Sequence, residues 1–269
     1  MKQLPIYQVD AFTQQLFGGN PAAICPVEED LSEELMQSIA LENNLSETAF
    51  IRGAQGHYHI RWFTPGTEVS LCGHATVAAS YIIRHELGDR SEELSFESLS
   101  GVLKVRFIDD LIELDFPAAS FTQEPVPEEV AKELPFQPVD SRFNRDDLLI
   151  VAPDEQTVSQ LDLDFTVLEN SRVRGVVISA RSERAGVDFV SRWFGGPEVA
   201  IKEDPVTGSA HTMLAPYWSE QLDKKVLTAE QISQRKGYLE CEWQDSRVLI
   251  RGNAVLYMRG QITLPGGST

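Results

Sequence analysis

The chain has 269 residues, 42% of them hydrophobic, with 23 basic against 41 acidic side chains and a formal net charge of −18. That is enough apolar material for a sizeable core, in one large domain or two small ones. The acidic balance excludes the electrostatic footprint of a nucleic-acid binder, and no apolar run reaches transmembrane length.

Three widely spaced cysteines, Cys25, Cys72 and Cys241, suit neither a disulfide framework nor a zinc knuckle. The start, Met1-Lys2-Gln3-Leu4-Pro5, has no signal-peptide core, so a reducing cytoplasm is the expected home.

In chain order, Ile6 to Ala11 reads as a strand, the stretch to Pro21 as a turn-rich loop, and Ala22 to Val27 as a second strand. Asp30 or Ser32 can cap a helix to about Asn43, with Leu35, Met36, Ile39 and Ala40 on one face. Ala49 to Ile51 and Tyr58 to Phe63 form a hairpin across Gly53 to Gly56. A helix is expected over 73–87, followed by a meander of Leu94 to Glu97, Val102 to Phe107 and Leu111 to Phe116.

Pro117 to Pro138 is rich in Pro and Glu, with a short helix from Glu128 to Leu134, and marks the boundary between halves 1–116 and 117–269. The second half then offers strands at Leu148 to Val151, Val173 to Ser179 and Val187 to Phe194, with a turn of helix at Thr157 to Leu161. A second long helix follows over 208–222. Tyr238 to Trp243, Arg247 to Arg251 and Ala254 to Thr263 make a closing meander, whose last strand could return to the first half. Pro216 should bend the second helix near Thr212, because it removes one hydrogen bond and crowds the preceding turn.

Two stretches repeat one order of features. Arg61-Trp62-Phe63, a Pro/Gly turn, Glu68-Val69 and Cys72-Gly73-His74-Ala75 lead into the first long helix. Arg192-Trp193-Phe194, Gly195-Gly196-Pro197, Glu198-Val199 and Thr207-Gly208-Ser209-Ala210 lead into the second. Such self-similarity argues for duplicated halves. Both helices are apolar nearly all round, so each is expected to be enclosed by sheet. An enclosed helix still presents unpaired amide groups at its start, and a leading glycine allows close approach, so Gly73 and Gly208 are candidate seats for a carboxylate. The competing reading is two core helices capped by their own hydroxyls, such as Thr207 or Ser209.

Gly19-Asn20-Pro21-Ala22-Ala23, Ser46-Glu47-Thr48-Ala49-Phe50, the Arg61 to Thr76 block and Asp204-Pro205-Val206-Thr207-Gly208-Ser209-Ala210 together resemble the phenazine-biosynthesis PhzF family. The resemblance runs from about Ile6 to the end of the second helix and is weak between Pro117 and Val173. It implies an α+β, diaminopimelate-epimerase-like fold of two pseudo-symmetric halves. Each half would be a mixed β-barrel-like roll around a central helix, with the active site between them.

The resemblance further implies a cofactor-free, metal-free isomerase, in which one glutamate shuttles a proton within a dihydro-hydroxyanthranilate ring. By motif that glutamate is Glu47, with His74 and Asp204 beside it as catalytic residues and Asn20, Gly73, Gly208 and Ser209 binding substrate. The implied partner is a small anionic molecule, with neither nucleic acid nor membrane involved; a homodimer through an exposed strand or helix face is also compatible.

Each residue has an ordinary reading as well. Glu47 alone is a solvated strand-entry carboxylate, His74 a capping or core histidine, Asp204 an Asp-Pro turn starter and Ser209 a first-turn hydroxyl. His57 and His59 share a strand face but lack a third metal ligand. His85 and His211 are expected to be packing or surface histidines.

Cys72 occupies one of two positions at which related epimerases carry paired cysteines. Thr207 holds the other, and a hydroxyl cannot act as the opposing thiolate at neutral pH. Two alternatives remain beside the isomerase: an amino-acid epimerase or racemase using Cys72, and a non-catalytic binding protein of the same fold.

Overall fold

The computed structural model describes residues 2–145, 147–166, 173–196, 199 and 201–265. It divides into two compact units, one of Met1–Asp115 with Arg251–Thr269 and one of Phe116–Ile250.

In the first unit, β1 (Gln3–Ala11) pairs antiparallel with β2 (Asn20–Pro26). Helix α1 (Glu33–Asn43) then carries the chain to β3 (Glu47–Ala54), which lies parallel to β2. Ser32 caps α1 by accepting the Leu35 amide, and Asn44 ends it in the left-handed region. Met36, Ile39 and Ala40 are its buried face.

β3 turns back antiparallel into β4 (His57–Phe63), whose end also pairs with β5 (Glu68–Val69). Helix α2 (Gly73–His85) crosses to β6 (Glu93–Ser98), parallel to β4; β7 (Gly101–Ile108) and β8 (Leu111–Pro117) follow antiparallel. As expected of an enclosed helix, α2 is buried from His74 through Ser80 and again at Ile82 and Ile83. It ends at His85, two residues earlier than the sequence suggests.

The second unit repeats this path. β9 (Thr122–Gln123) pairs with β10 (Asp140–Phe143) beyond the short helix α3 (Glu128–Ala131), and β10 pairs antiparallel with β11 (Asp147–Val151). Helix α4 (Glu155–Ser159) crosses to β12 (Gly175–Arg181), parallel to β11, and β12 turns antiparallel into β13 (Phe189–Gly195). Helix α5 (His211–Leu222) then crosses to β14 (Val226–Gln231), parallel to β13. β15 (Gly237–Gln244) is antiparallel to β14, and β16 (Arg247–Gly252) comes next.

The pairing sequence antiparallel, parallel, antiparallel, parallel, antiparallel therefore occurs in both units, with a helix at each parallel crossover. This is a mixed α+β fold of two similar halves, each with a central helix. The last strand, β17 (Ala254–Thr263), pairs antiparallel with β1 along all of β1, with a register shift between Gln8 and Val9. β9 stands beside β10 as β17 stands beside β1. Among the described residues no helix is long and apolar enough to cross a membrane.

One detail of α5 departs from the sequence reading and another extends it. Regular helix begins at His211, not at Gly208. The amides of His211, Thr212 and Met213 bond the carbonyls of Gly208, Ser209 and Ala210, a tighter three-residue spacing that delays the α-helical ladder. Pro216 stands inside the helix and removes the donor that would have served the Thr212 carbonyl; the amide of Ala119 supplies it instead, at 3.1 Å.

The repeated Arg-Trp-Phe strands each carry a forked ion pair. Arg61 meets Glu68 through Nε and Nη2, both at 2.7 Å; Arg192 meets Glu203 at 2.7 and 2.8 Å. Each guanidinium also lies over the phenylalanine two residues on, Phe63 or Phe194. Glu203 thus makes the contact that Glu68 makes in the first unit; Pro197 and Glu198, which the motif alignment set against that turn, lie outside the described residues.

Arg192 additionally donates to the Leu161 carbonyl and is only 12% exposed, whereas Arg61 is 37% exposed. Water screens the first-unit pair more. Both partners are similarly buried carboxylates, Glu68 15% and Glu203 20% exposed, so the difference lies in the guanidinium and the Leu161 carbonyl: Arg192→Met should cost roughly 3 kcal/mol. Arg61→Met should cost about 1 kcal/mol or less. Urea unfolding of the two variants checks the order, and equal losses would contradict it.

Candidate functional site

Glu47 opens β3, whose register against β2 places it beside Ala22. Its side chain is 15% exposed, and its Oε2 lies 3.0 Å from Nε2 of His74, which is buried in the first turn of α2. The two atoms stand at ion-pair distance without the alignment of a hydrogen bond, and neither has another hydrogen-bond partner.

On the other side of the ring, Nδ1 faces the Asn20 amide nitrogen at 3.2 Å and the Cys72 sulfur at 3.5 Å. Asn20 begins β2 and is fully buried. β2, β3 and the entry of α2 thus each supply a neighbour to one imidazole. Glu47, Cys72 and His74 are also the one group of potential metal-ligating side chains among the described residues, with their ligand atoms within 4.8 Å of one another.

The electrostatics follow from burial and proximity. Burial pulls the His74 imidazole down, but the Cys72 sulfur and the Glu47 carboxylate outweigh it and hold the ring well above its ordinary value. Burial, reinforced by Glu47, pushes the Cys72 thiol up to about 11, so at neutral pH it is a thiol.

Gly73 opens α2 as its first residue, with Cys72 as N-cap making no side-chain cap bond. The Cys72 carbonyl is held by the Thr76 hydroxyl at 2.6 Å and the Thr76 amide at 3.2 Å.

The second unit has the same scaffold and different side chains. Trp193 bridges to Asp204 as Trp62 pairs with Val69, so Asp204 stands where the first unit has a valine. Three residues on, Thr207 matches Cys72, and then Gly208, Ser209 and His211 match Gly73, His74 and Thr76. His211 Nδ1 lies 2.9 Å from the Thr207 carbonyl, the place that Thr76 occupies on Cys72.

The Thr207 hydroxyl donates to Asp204 Oδ2. Gln231, buried at the end of β14, accepts the Thr207 amide at 2.8 Å and donates to the Asp204 carbonyl at 2.7 Å. The sequence reading missed Gln231: β14 was unassigned, and a contact across 24 residues has no local signature.

Register also identifies the counterpart of Glu47. Thr48 pairs with Phe63 and Val176 with Phe194, so the residue before Val176, Gly175, occupies the glutamate's place. A Cβ on Gly175 would meet the Trp193 indole at 2.2 Å. The second unit therefore fills with an aromatic ring the space in which the first carries its acid.

The remaining histidines separate cleanly. His57 is exposed, and His59, also exposed, sits 3.2 Å from Glu97. His85 is exposed and stacks near Tyr81, while His211 is fully buried.

The family model for phenazine biosynthesis-like proteins (PhzC-PhzF) matches residues 9–260. The chain belongs to the PhzF family. It is 49% identical over 262 residues to an "uncharacterized isomerase" of Pseudomonas aeruginosa, covering 97% of this chain and 100% of that one. It is 45% identical over 267 residues to another protein so described from Halalkalibacterium halodurans, covering 98% and 100%. The crystal structure of a PhzF-family phenazine biosynthesis protein from Enterococcus faecalis superposes with a TM-score of 0.92 at 41% identity, over 98% of this chain and 100% of that one.

Burial pushes the His211 imidazole down to about 4, so it is neutral in the folded protein. Between that value and the unfolded value near 6.5, the unfolded chain binds a proton the native one does not, so stability falls as pH drops through this window. Between pH 7 and pH 5 the loss from this group is about 2 kcal/mol. Denaturant melts of wild type and His211→Gln across that range should converge by about this amount as pH falls; parallel curves would contradict the buried neutral assignment.

Proposed function

We propose that this PhzF-family chain is an isomerase that moves a proton between two carbons of a small carboxylate-bearing substrate, with Glu47 as the sole carrier. The observation that carries the reading is the unequal pair of matching positions: Glu47 beside His74 in one unit, Gly175 beneath the Trp193 ring in the other. One carboxylate with no opposed twin suits removal and return of a proton by the same group.

In this reading Glu47 takes the proton from a carbon activated by the substrate's unsaturation, and then delivers it to a second carbon of the same face. His74, 3.0 Å from it, steadies the carboxylate form. Asn20 and Cys72 hold the ring from behind. Gly73 leaves the first turn of α2 open to a substrate carboxylate. Asp204 is proposed as a further catalytic group, with Gly208 and Ser209 binding substrate. A closed roll around each central helix, a cytoplasmic setting supported by three free buried cysteines, and a homodimer belong to the same reading.

The epimerase alternative would need Cys72 as base. A thiol pushed up to about 11 is a poor base at neutral pH, and its counterpart Thr207 spends its hydroxyl on Asp204. A purely binding role would give no reason for an acid and a buried imidazole 3.0 Å apart with no aligned partner.

The test is hydrogen exchange between a panel of unsaturated and amino-acid carboxylates and deuterated solvent, followed by NMR. Glu47→Gln should lose exchange by on the order of 10²–10⁴-fold while still binding the ligand. Cys72→Ser should retain most of it. Full exchange by Glu47→Gln would remove the assigned role, and loss of exchange in Cys72→Ser alone would restore the epimerase.

A further inference from the structure

We infer that Gln231 is a positioning residue for the proposed reaction, holding Asp204 through Thr207 in one fixed orientation; the inference rests on the catalytic role given to Asp204 above.

Gln231 closes β14 and is 1% exposed. Its Oε1 accepts the Thr207 amide at 2.8 Å. Its Nε2 donates to the Asp204 carbonyl at 2.7 Å and to the Thr207 hydroxyl oxygen at 3.3 Å. Only this orientation of the side-chain amide works, because turning it over would set donor against donor and acceptor against acceptor. The Thr207 hydroxyl has a single proton. With Nε2 donating to its oxygen, that proton points at Asp204 Oδ2, to which the hydroxyl donates. A one-way chain thus runs from the Gln231 amide through the Thr207 hydroxyl to the Asp204 carboxylate, in a buried setting where each bond polarises the next.

The middle of the loop is fixed from elsewhere. Ser233 Oγ donates to the Pro205 carbonyl at 2.7 Å. Val206 is fully buried and packs so closely on Gly237 that a Cβ there would meet its Cγ2 at 2.2 Å. What Gln231 adds lies at the two ends of the loop, Asp204 and Thr207.

The duplicated scaffold supplies an independent comparison. On β14, Glu230 lies opposite Val190 and Gln231 opposite Ser191; on β6, Glu97 lies opposite His59. Trp193 matches Trp62, so Val190 matches His59, and Gln231 matches Ser98, the last residue of β6. Ser98 donates its hydroxyl to the Gly101 carbonyl at 2.8 Å. The first unit therefore has Val69, Cys72 and Ser98 where the second has Asp204, Thr207 and Gln231. All three positions differ together, and in the second unit hydrogen bonds join all three. Both loops lead into an enclosed helix, and the clamp accompanies the carboxylate.

The experiment compares wild type with Gln231→Met, Thr207→Val, Asp204→Asn and the double variant Asp204→Asn/Gln231→Met. The probe is a carboxylate from the panel above that wild type exchanges with solvent. Gln231→Met keeps the length of the side chain and loses all three hydrogen bonds. It should lower kcat for exchange by on the order of 10–10²-fold, with a smaller change in KM. Thr207→Val, which removes only the hydroxyl, should lower kcat in the same sense. The double variant should exchange as fast as Asp204→Asn, because a residue that acts through Asp204 has nothing left to position. Ser98→Ala, at the matching position of the first unit, should leave exchange unchanged. Amide hydrogen exchange followed by NMR needs no substrate. It should show the Thr207 amide exchanging faster in Gln231→Met, while the Leu214 amide, bonded to the Ala210 carbonyl, keeps the protection of a folded α5.

Full exchange in Gln231→Met, where Asp204→Asn has lost it, would overturn the positioning role and leave the reading of Asp204 standing. A double variant slowed below Asp204→Asn by the full factor seen in Gln231→Met alone would mean a general scaffold role and would also overturn it. An unchanged Thr207 amide in Gln231→Met would overturn the hydrogen-bond chain itself. Full exchange in Asp204→Asn would remove Asp204 from the function proposed above, and the role of Gln231 with it.

Discussion

In both units, the backbone carbonyl just before the leading glycine of the central helix is captured by a side chain four residues later. Thr76 holds the Cys72 carbonyl and His211 the Thr207 carbonyl. The capture fixes the direction in which the chain enters an enclosed helix, and with it the position of the residue after the glycine. In the first unit that residue is His74, and its ring then sits against the start of β3, where Glu47 waits. The forked Arg–Glu pairs before each helix, Arg61 with Glu68 and Arg192 with Glu203, hold the preceding turns at the other end.

The scaffold is therefore duplicated while the chemistry is not. Matching positions hold Glu47 and Gly175, Val69 and Asp204, Cys72 and Thr207, His74 and Ser209. A glutamate at 175 would collide with the Trp193 indole, so the second unit could not regain the acid by one substitution without moving a core aromatic. Asp204 in turn is tied into a network with Thr207 and Gln231, which suits a fixed acceptor better than a group that changes charge in each cycle.

Much of this was legible in the sequence because duplication writes itself twice. The Arg-Trp-Phe echoes, the two long apolar helices and the hairpin around Gly53 to Gly56 rest on local periodicity and turn chemistry, and each of these elements is present, although only α2 is led by its glycine. What was illegible depended on contacts between distant residues. The loop before α5 is longer than its counterpart before α2, so spacing alone matched Glu68 with Glu198, while hydrogen bonding selects Glu203. β14, unassigned from sequence, ends in Glu230 and Gln231, polar residues buried by partners far along the chain. The late start of α5 follows from the three-residue bonding of Gly208 to Ala210, which an apolar pattern does not reveal. Glu47 itself looked like an ordinary strand-entry carboxylate, and only the family motif set it apart, because its neighbour His74 lies 27 residues away.

The central claim is that one partly buried carboxylate both removes and returns the proton. It is tested most directly by single-turnover rapid quench on a substrate, chosen from those the wild type exchanges, that carries deuterium at the carbon losing its hydrogen, in ordinary water. The account predicts that part of the label appears in the product at the second carbon, since a deuteron on a carboxylate only 15% exposed can be delivered before it escapes. A product that acquires its hydrogen entirely from solvent at the earliest times, with all label washed out, would mean that a second group delivers the proton and would contradict the account.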